Sequence, residues 1–410
     1  MSEWNPPTFH PACFVNPRLS PAEETLDQAA PDVVDAAGFA RAAAEITQWP
    51  GYRATPLVGL DGLARKLGVA RIFYKDESGR FGLGAFKAVG GAYAVLRHLQ
   101  EQLAKDGHGN VTAADLIAGK YHDRTSDITV CTATDGNHGK SVAWGARLFG
   151  CRAAIYLHAG VSPGREQAIA AFGAEMRRID GNYDASVRAC ARDAAAHGWQ
   201  VISDTTWEGY REIPRHVMHG YGVMMREVMA QLPAGEDITH VFIQAGVGGL
   251  PAAVAGYLWL ELDALRPKIV VVEPEKAACH FASALAGHPV AVTGALDTLM
   301  AGLACGEVSP LAWRLLDKAS FAFMTVPDTA AVFAMKTLAR GIDSDPVLVG
   351  GEAGVGGLAG LVAAAGDATV RDALLLDANS RILVIGSEGA TDPALYRELV
   401  GRSPEDVLAA

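Results

Sequence analysis

Apolar positions along the chain alternate between short continuous runs and a spacing of three and four, the pattern of strands exchanging with amphipathic helices. Segments 72–74, 128–133, 153–157, 176–179, 201–203, 240–244, 268–273 and 381–386 are short runs rich in valine, isoleucine and leucine, and read as strands. From Phe86 onward Val89, Ala92, Tyr93, Leu96 and Leu99 recur at helical spacing. Segments 60–67, 141–148, 165–172, 183–197, 251–261 and 359–366 read as helices too, and one more is expected around 39–49. Strand and helix in this order predict an α/β fold with mostly parallel sheets covered by helices.

The chain is long enough, at 410 residues, for two domains with substantial cores. We expect two α/β domains with the ligand between them. Residues 1–35 carry repeated prolines and no sustained periodicity, and read as an arm over the body or over a partner subunit. No internal repeat interrupts the alternation.

Charge and cysteine content narrow the partners. A net charge of −11 argues against nucleic acid or an anionic membrane surface. No run approaches the roughly 20 apolar residues that span a bilayer, and the first residues lack the basic-then-apolar pattern of a signal peptide. The six cysteines show no metal-type spacing, so no metal is expected, and free thiols in the cytoplasm are the plain reading.

The candidate chemistry begins at Lys87. It falls in the first turn of its helix, directly after a loop holding Gly79, Gly82 and Gly84. The positive end of a helix dipole is a costly place for a routine ammonium. It suits an amine held uncharged or tied up as an imine, although a surface lysine after a turn stays open. Lys75 merely ends the preceding strand. Gly246-Val247-Gly248-Gly249-Leu250 joins a strand to a helix, where backbone N–H groups can approach a phosphate. A second glycine loop, 350–357, competes with it, but Glu352 there would repel an anion. Asp135 lies at a strand–helix junction, either as an N-cap or as a catalytic carboxylate. Asp204 follows a strand, at the edge where open α/β sheets bind ligands.

These motifs, in this order, resemble those of fold-type II pyridoxal-phosphate enzymes, with two open, twisted, mostly parallel sheets and the active site between domains. More narrowly, Gly82 to Lys87 with Gly90-Gly91-Ala92-Tyr93, Thr134 to Gly139, and Asp204 to Tyr210 are similar to the diaminopropionate ammonia-lyases, which usually carry asparagine where this chain has Gly84. The segment 299–304, between Cys279 and Cys305, is similar to them as well; those two cysteines could bridge, with two thiols as the simpler expectation.

The resemblance implies pyridoxal 5′-phosphate as cofactor, with Lys87 as its imine-forming lysine beside Phe86. It implies a phosphate loop at Gly246, Val247, Gly248, Gly249 and Leu250, and contact of Asn137 with the cofactor's 3′-oxygen. Ser387, with Thr391 as second candidate, would face the pyridine nitrogen. Thr134, Asp135, Gly136, His138 and Asp204 would bind the substrate, with Asp135 and Asp204 also as catalytic groups. The implied reaction is β-elimination of 2,3-diaminopropionate to pyruvate and ammonia through an aminoacrylate. The implied assembly is a homodimer with a large domain of 1–88 and 210–410 and a small domain of 89–209. A serine/threonine dehydratase-like enzyme, another β-eliminating or β-replacing enzyme, or a non-catalytic protein of the same fold are the alternatives.

Overall fold

The computed structural model describes residue 4 and residues 6–134, 136–181 and 183–409. Its strands, in chain order, are β1 (Cys13–Val15), β2 (Leu57–Gly59), β3 (Arg71–Asp76), β4 (Thr129–Ala133), β5 (Arg152–His158), β6 (Glu175–Ile179), β7 (Gln200–Val201), β8 (His240–Gln244), β9 (Lys268–Pro274), β10 (Ser320–Val326) and β11 (Arg381–Gly386). The chain divides into two compact units. One comprises 1–33, 54–79 and 224–410, and the other 34–53 and 80–223. Both boundaries expected from the sequence, at 88/89 and at 209/210, lie inside the second unit, which takes in the lysine helix whole.

The first unit carries a sheet in the order β1-β10-β9-β8-β11-β3-β2 among the described residues. Its five central strands run parallel, and the three-residue edge strands β1 and β2 are antiparallel. The central strands read as continuous apolar runs because both faces are covered: Val241, Phe242, Ile243, Val270, Val271, Val272, Leu383 and Val384 have no exposed surface. The helix Gly356–Ala365 is buried all round and lies in the same core. Part of the proline-rich arm is thus structural, since Cys13–Val15 pairs with β10. The run that forms β10 was not among the expected strands.

Lys75 departs most from the sequence reading. Its side chain has no exposure, and its Nζ lies 2.7 Å from Glu227 and 2.6 Å from the Thr55 carbonyl. Thr55 in turn donates its hydroxyl to Glu77 at 2.5 Å and its N–H to Glu227 at 3.1 Å. The lysine that seemed only to end a strand is the cation of a buried network.

The second unit carries a parallel sheet in the order β6-β5-β4-β7. The helix Lys87–Lys105 presents Val89, Ala92, Leu96 and Leu99 to the core, all fully buried as their spacing predicts. It packs along the helix Asn137–Phe149, where Ser141 Oγ accepts from the Ala92 N–H at 3.0 Å. The helix Glu212–Gln231, not anticipated from the pattern, starts in this unit, and the boundary between the units falls within it.

Candidate active site

In the second unit the lysine is placed where the sequence puts it. Lys87 is the first residue of its helix, after Gly84 at φ +82°. That left-handed backbone is open to glycine and, next, to asparagine. Position 84 therefore suits glycine and takes asparagine at a lower cost than other residues. Lys87 Nζ forms an ion pair with Asp204 Oδ2 and sits 5.6 Å from the centre of the Phe86 ring. The ion pair offsets the cost of a cation at the positive end of the helix.

Asp204 is held by its backbone. Tyr210 Oη accepts from the Ser203 N–H at 2.9 Å and donates to the Val201 carbonyl at 2.8 Å, fixing the chain between β7 and the carboxylate. Burial alone would raise the Asp204 pKa, but the charge of Lys87 and its hydrogen bond outweigh it and hold the carboxyl well below its usual range. At neutral pH it is a carboxylate, an acceptor only.

His138 stands near the same oxygen of that carboxylate as Lys87. Its Nε2 is 2.8 Å from the Ile202 carbonyl, which can only accept, so Nε2 carries the proton. Nδ1 lies 3.9 Å from Asp204 Oδ2, without a hydrogen-bond partner among the described residues. Burial lowers the pKa of this imidazole, with Asp204 opposing and Lys87 reinforcing, so the ring is neutral. Thr134 Oγ1 accepts from the N–H groups of Gly136 and Gly139 at 3.0 Å each, and so caps the helix that Asn137 begins. Asp135 lies outside the described residues.

In the first unit, the Gly246 loop leaves β8 and opens the helix Gly249–Leu262. Gly248 has φ +103°, and a Cβ there would come within 2.5 Å of the His280 ring. Among the described residues, no backbone carbonyl outside the helix accepts from the N–H groups of Gly246 to Leu250. Burial drives His280 down to about 4, so this imidazole is neutral and the anion-binding character comes from the backbone. The cradle fits a phosphate group. The competing glycines serve packing instead: a Cβ at Gly351 or Gly354 would lie 2.3 Å or 2.5 Å from the backbone carbonyls of Gly389 or Glu388.

Ser387 follows β11, and its Oγ accepts from Gln244 Nε2 at 2.7 Å. Gln244 is fixed in this sense because its Oε1 accepts from the Gly357 N–H at 3.2 Å. The hydroxyl proton of Ser387 is then left for another acceptor, as a pyridine nitrogen requires. Thr391, more exposed, donates its N–H to the Gly389 carbonyl at 2.8 Å. Cys279 and Cys305 are not bridged to each other, and both border Gly246. The ligand atoms of Glu273, Cys279 and His280 lie within 4.8 Å of one another. The two Glu273 oxygens, however, already accept from the N–H groups of His280 and Phe281, capping the helix Cys279–Ala286. Burial raises that carboxyl to about 8.

Comparison with known proteins bears directly on these two sets of residues. Residues 48–388 match the family described as pyridoxal-phosphate dependent enzyme. A diaminopropionate ammonia-lyase of Escherichia coli K12 is 41% identical over 358 residues, 85% of this chain and 88% of the relative. The chain belongs to the diaminopropionate ammonia-lyase family of pyridoxal-phosphate-dependent enzymes. A diaminopropionate ammonia-lyase of Salmonella typhimurium is 38% identical over 364 residues, 86% of this chain and 90% of the relative. The crystal structure of the Escherichia coli ammonia-lyase in complex with D-serine matches with a TM-score of 0.87 and 36% identity, over 96% of this chain and 97% of that one. A threonine deaminase of Solanum lycopersicum, 22% identical with a TM-score of 0.69 over 97% of this chain and 99% of that one, shares the fold. Membership makes pyridoxal 5′-phosphate the cofactor of this ammonia-lyase family chain. Three residues near the candidate groups escaped the sequence reading: Gln244 behind Ser387, His280 beneath Gly248, and Tyr221 beside Lys87. Of these, only Gln244 left a trace, as a polar residue ending an apolar strand.

Proposed function

We propose that this chain is a 2,3-diaminopropionate ammonia-lyase, converting its substrate and one water to pyruvate and two ammonia molecules. The observation that carries the reading is Asp204, an ionised carboxylate already paired with an alkylammonium, that of Lys87. The β-substituent of diaminopropionate is an alkylammonium of the same kind. Relatives bearing the ammonia-lyase name at 41% and 38% identity support the reading.

Pyridoxal 5′-phosphate, when bound, supplies the electron sink that makes the substrate's Cα–H acidic. Lys87 would form the covalent link to it, Gly246 to Leu250 its phosphate cradle, Asn137 the contact to its 3′-oxygen and Ser387 the partner of its ring nitrogen. Lys87 Nζ takes the α-proton on its own face. Asp204 holds the β-amino group as an ammonium, so that it departs with the bonding pair as neutral ammonia. The start of the helix Asn137–Phe149, with Thr134, Gly136 and His138, receives the substrate carboxylate. Asp135 is assigned, on the resemblance, as the base for the opposite face. Asp135→Asn should therefore lower activity on one enantiomer far more than on the other, and equal loss refutes the assignment.

The decisive assay compares pyruvate formation by the holoenzyme from D- and L-diaminopropionate, serine and threonine. Diaminopropionate should have the highest kcat/KM; a preference for serine or threonine overturns the reading in favour of a dehydratase. The cytoplasm and a homodimeric state are part of the proposal. Six cysteines without metal-type spacing support the first, and the family resemblance supports the second.

A further inference from the structure

Lys87 has a second neighbour besides Asp204. The Tyr221 ring lies 4.6 Å from that of Phe86, centre to centre, tilted by 50°. On its other side it presses on Gly90, where an added Cβ would fall 2.2 Å from Tyr221 Cε1. Phe86 and Gly90 are one turn apart and flank Lys87, so the phenol is wedged against the first turn of the lysine helix. Tyr221 is 1% exposed, and its hydroxyl has no hydrogen-bond partner among the described residues. Burial holds this phenol well above its ordinary pKa, and Lys87 is the charge that bears most on it. Tyr221 is therefore a neutral phenol at working pH.

We propose that Tyr221 is a positioning residue for Lys87, its hydroxyl oxygen forming with Asp204 a two-acceptor seat for the ε-nitrogen as that nitrogen becomes protonated. When Lys87 takes the α-proton, positive charge develops on Nζ. A carboxylate alone fixes one N–H direction. A second acceptor, already buried against the first turn of the lysine helix and without a partner of its own, can fix another and stabilise the developing charge. Phe86 offers its ring face to the same ammonium. The glycine at position 90 then has a catalytic reason, because any side chain there would push the phenol away.

The inference rests on the ammonia-lyase reading, and its test has one arm that does not. Tyr221→Phe keeps the ring and its packing and removes only the hydroxyl. With diaminopropionate, kcat should fall about tenfold or more, the scale of one hydrogen bond to a charged group. KM should stay within about threefold, since the hydroxyl acts on the proton-transfer step and not on ground-state binding. Deuteration at Cα should produce a larger isotope effect in the variant. In the second arm, cofactor-free protein is mixed with pyridoxal 5′-phosphate and trapped with borohydride, and the rate of labelling at Lys87 should drop several-fold. A kcat within about threefold of the unaltered enzyme, or an unchanged labelling rate, overturns the proposal. If the unaltered enzyme ignores diaminopropionate, the functional reading fails, while the labelling rate still decides the role of Tyr221.

Discussion

Lys75 Nζ and Glu227 Oε2 are 2.7 Å apart, with the two side chains 0% and 4% exposed. A pair so far from water stabilises only while both members are present; removing one leaves an uncompensated charge, at a cost of about 3–5 kcal/mol. Lys75→Met should lower the urea midpoint accordingly, and Lys75→Met with Glu227→Leu should recover much of the loss. Neither residue belongs to the lysine site. Borohydride trapping of the folded Lys75→Met variant should still label Lys87, and a label that vanished with Lys75 would reverse the assignment of the two lysines.

Gly248 is constrained twice, by φ +103° and by the His280 ring 2.5 Å from where a Cβ would stand. Gly248→Ala should weaken pyridoxal 5′-phosphate binding by about tenfold or more, because the backbone N–H groups lose their aim at the phosphate. Adding His280→Ala opens the space but leaves the positive φ, so recovery of affinity should be partial. Full recovery would show that steric overlap alone had been at fault, and no loss at Gly248 would remove the loop from the cofactor's site.

The parts of the site legible in the sequence are those that one segment encodes. Lys87 after its glycines, the strand–loop–helix of Gly246, and Asp204 after its strand each carry their own context within about ten residues. The parts that were not legible join distant segments. Lys75 and Glu227 are 152 positions apart, and a lysine in a strand looks the same whether it faces solvent or a buried glutamate. Gln244 and Ser387 are 143 apart, so nothing local shows that the amide fixes the hydroxyl. Tyr221 looked like any core tyrosine, since only the approach of its helix to Gly90 gives it a function. The same limit applied to the fold: β3, β8 and β11 were visible as apolar runs, whereas the edge strand at Cys13–Val15 exists only because β10 offers it a partner.

Burial pushes three histidines, His98, His240 and His280, down to about 4. Unfolded, each would titrate near pH 6.5. Between those values these three rings bind more protons in the unfolded chain than in the folded one, so their contribution to stability is full above about pH 6.5 and falls as the pH drops towards 4, opposed in part by the single carboxyl of Glu273. Urea unfolding at pH 7, 6 and 5 should show a loss steeper than the roughly 1.4 kcal/mol per pH unit of a single proton. His240→Gln, which can still reach the Leu374 carbonyl that His240 Nε2 meets at 3.0 Å, should make that slope shallower. A pH-independent midpoint over this range would show that these rings are protonated in the folded protein.

Asp204 touches Lys87 now and, in the proposed reaction, the leaving ammonium, and the two duties can be separated by the choice of leaving group. Asp204→Asn keeps the size and removes the charge. Diaminopropionate then loses the group that keeps its β-nitrogen protonated, and amide ion is too poor a leaving group for the reaction to proceed without that proton. A β-chloro amino acid expels chloride, which needs no proton. If the carboxylate acts on the leaving group, diaminopropionate should lose about a hundredfold or more in kcat/KM, the scale of a lost acid–base group, and β-chloroalanine about tenfold or less. Loss of both to the same extent would mean that Asp204 works only through Lys87, by holding the amine that takes the α-proton. The unaltered enzyme supplies the reference ratio, and circular dichroism of the variant establishes that the comparison is between folded proteins.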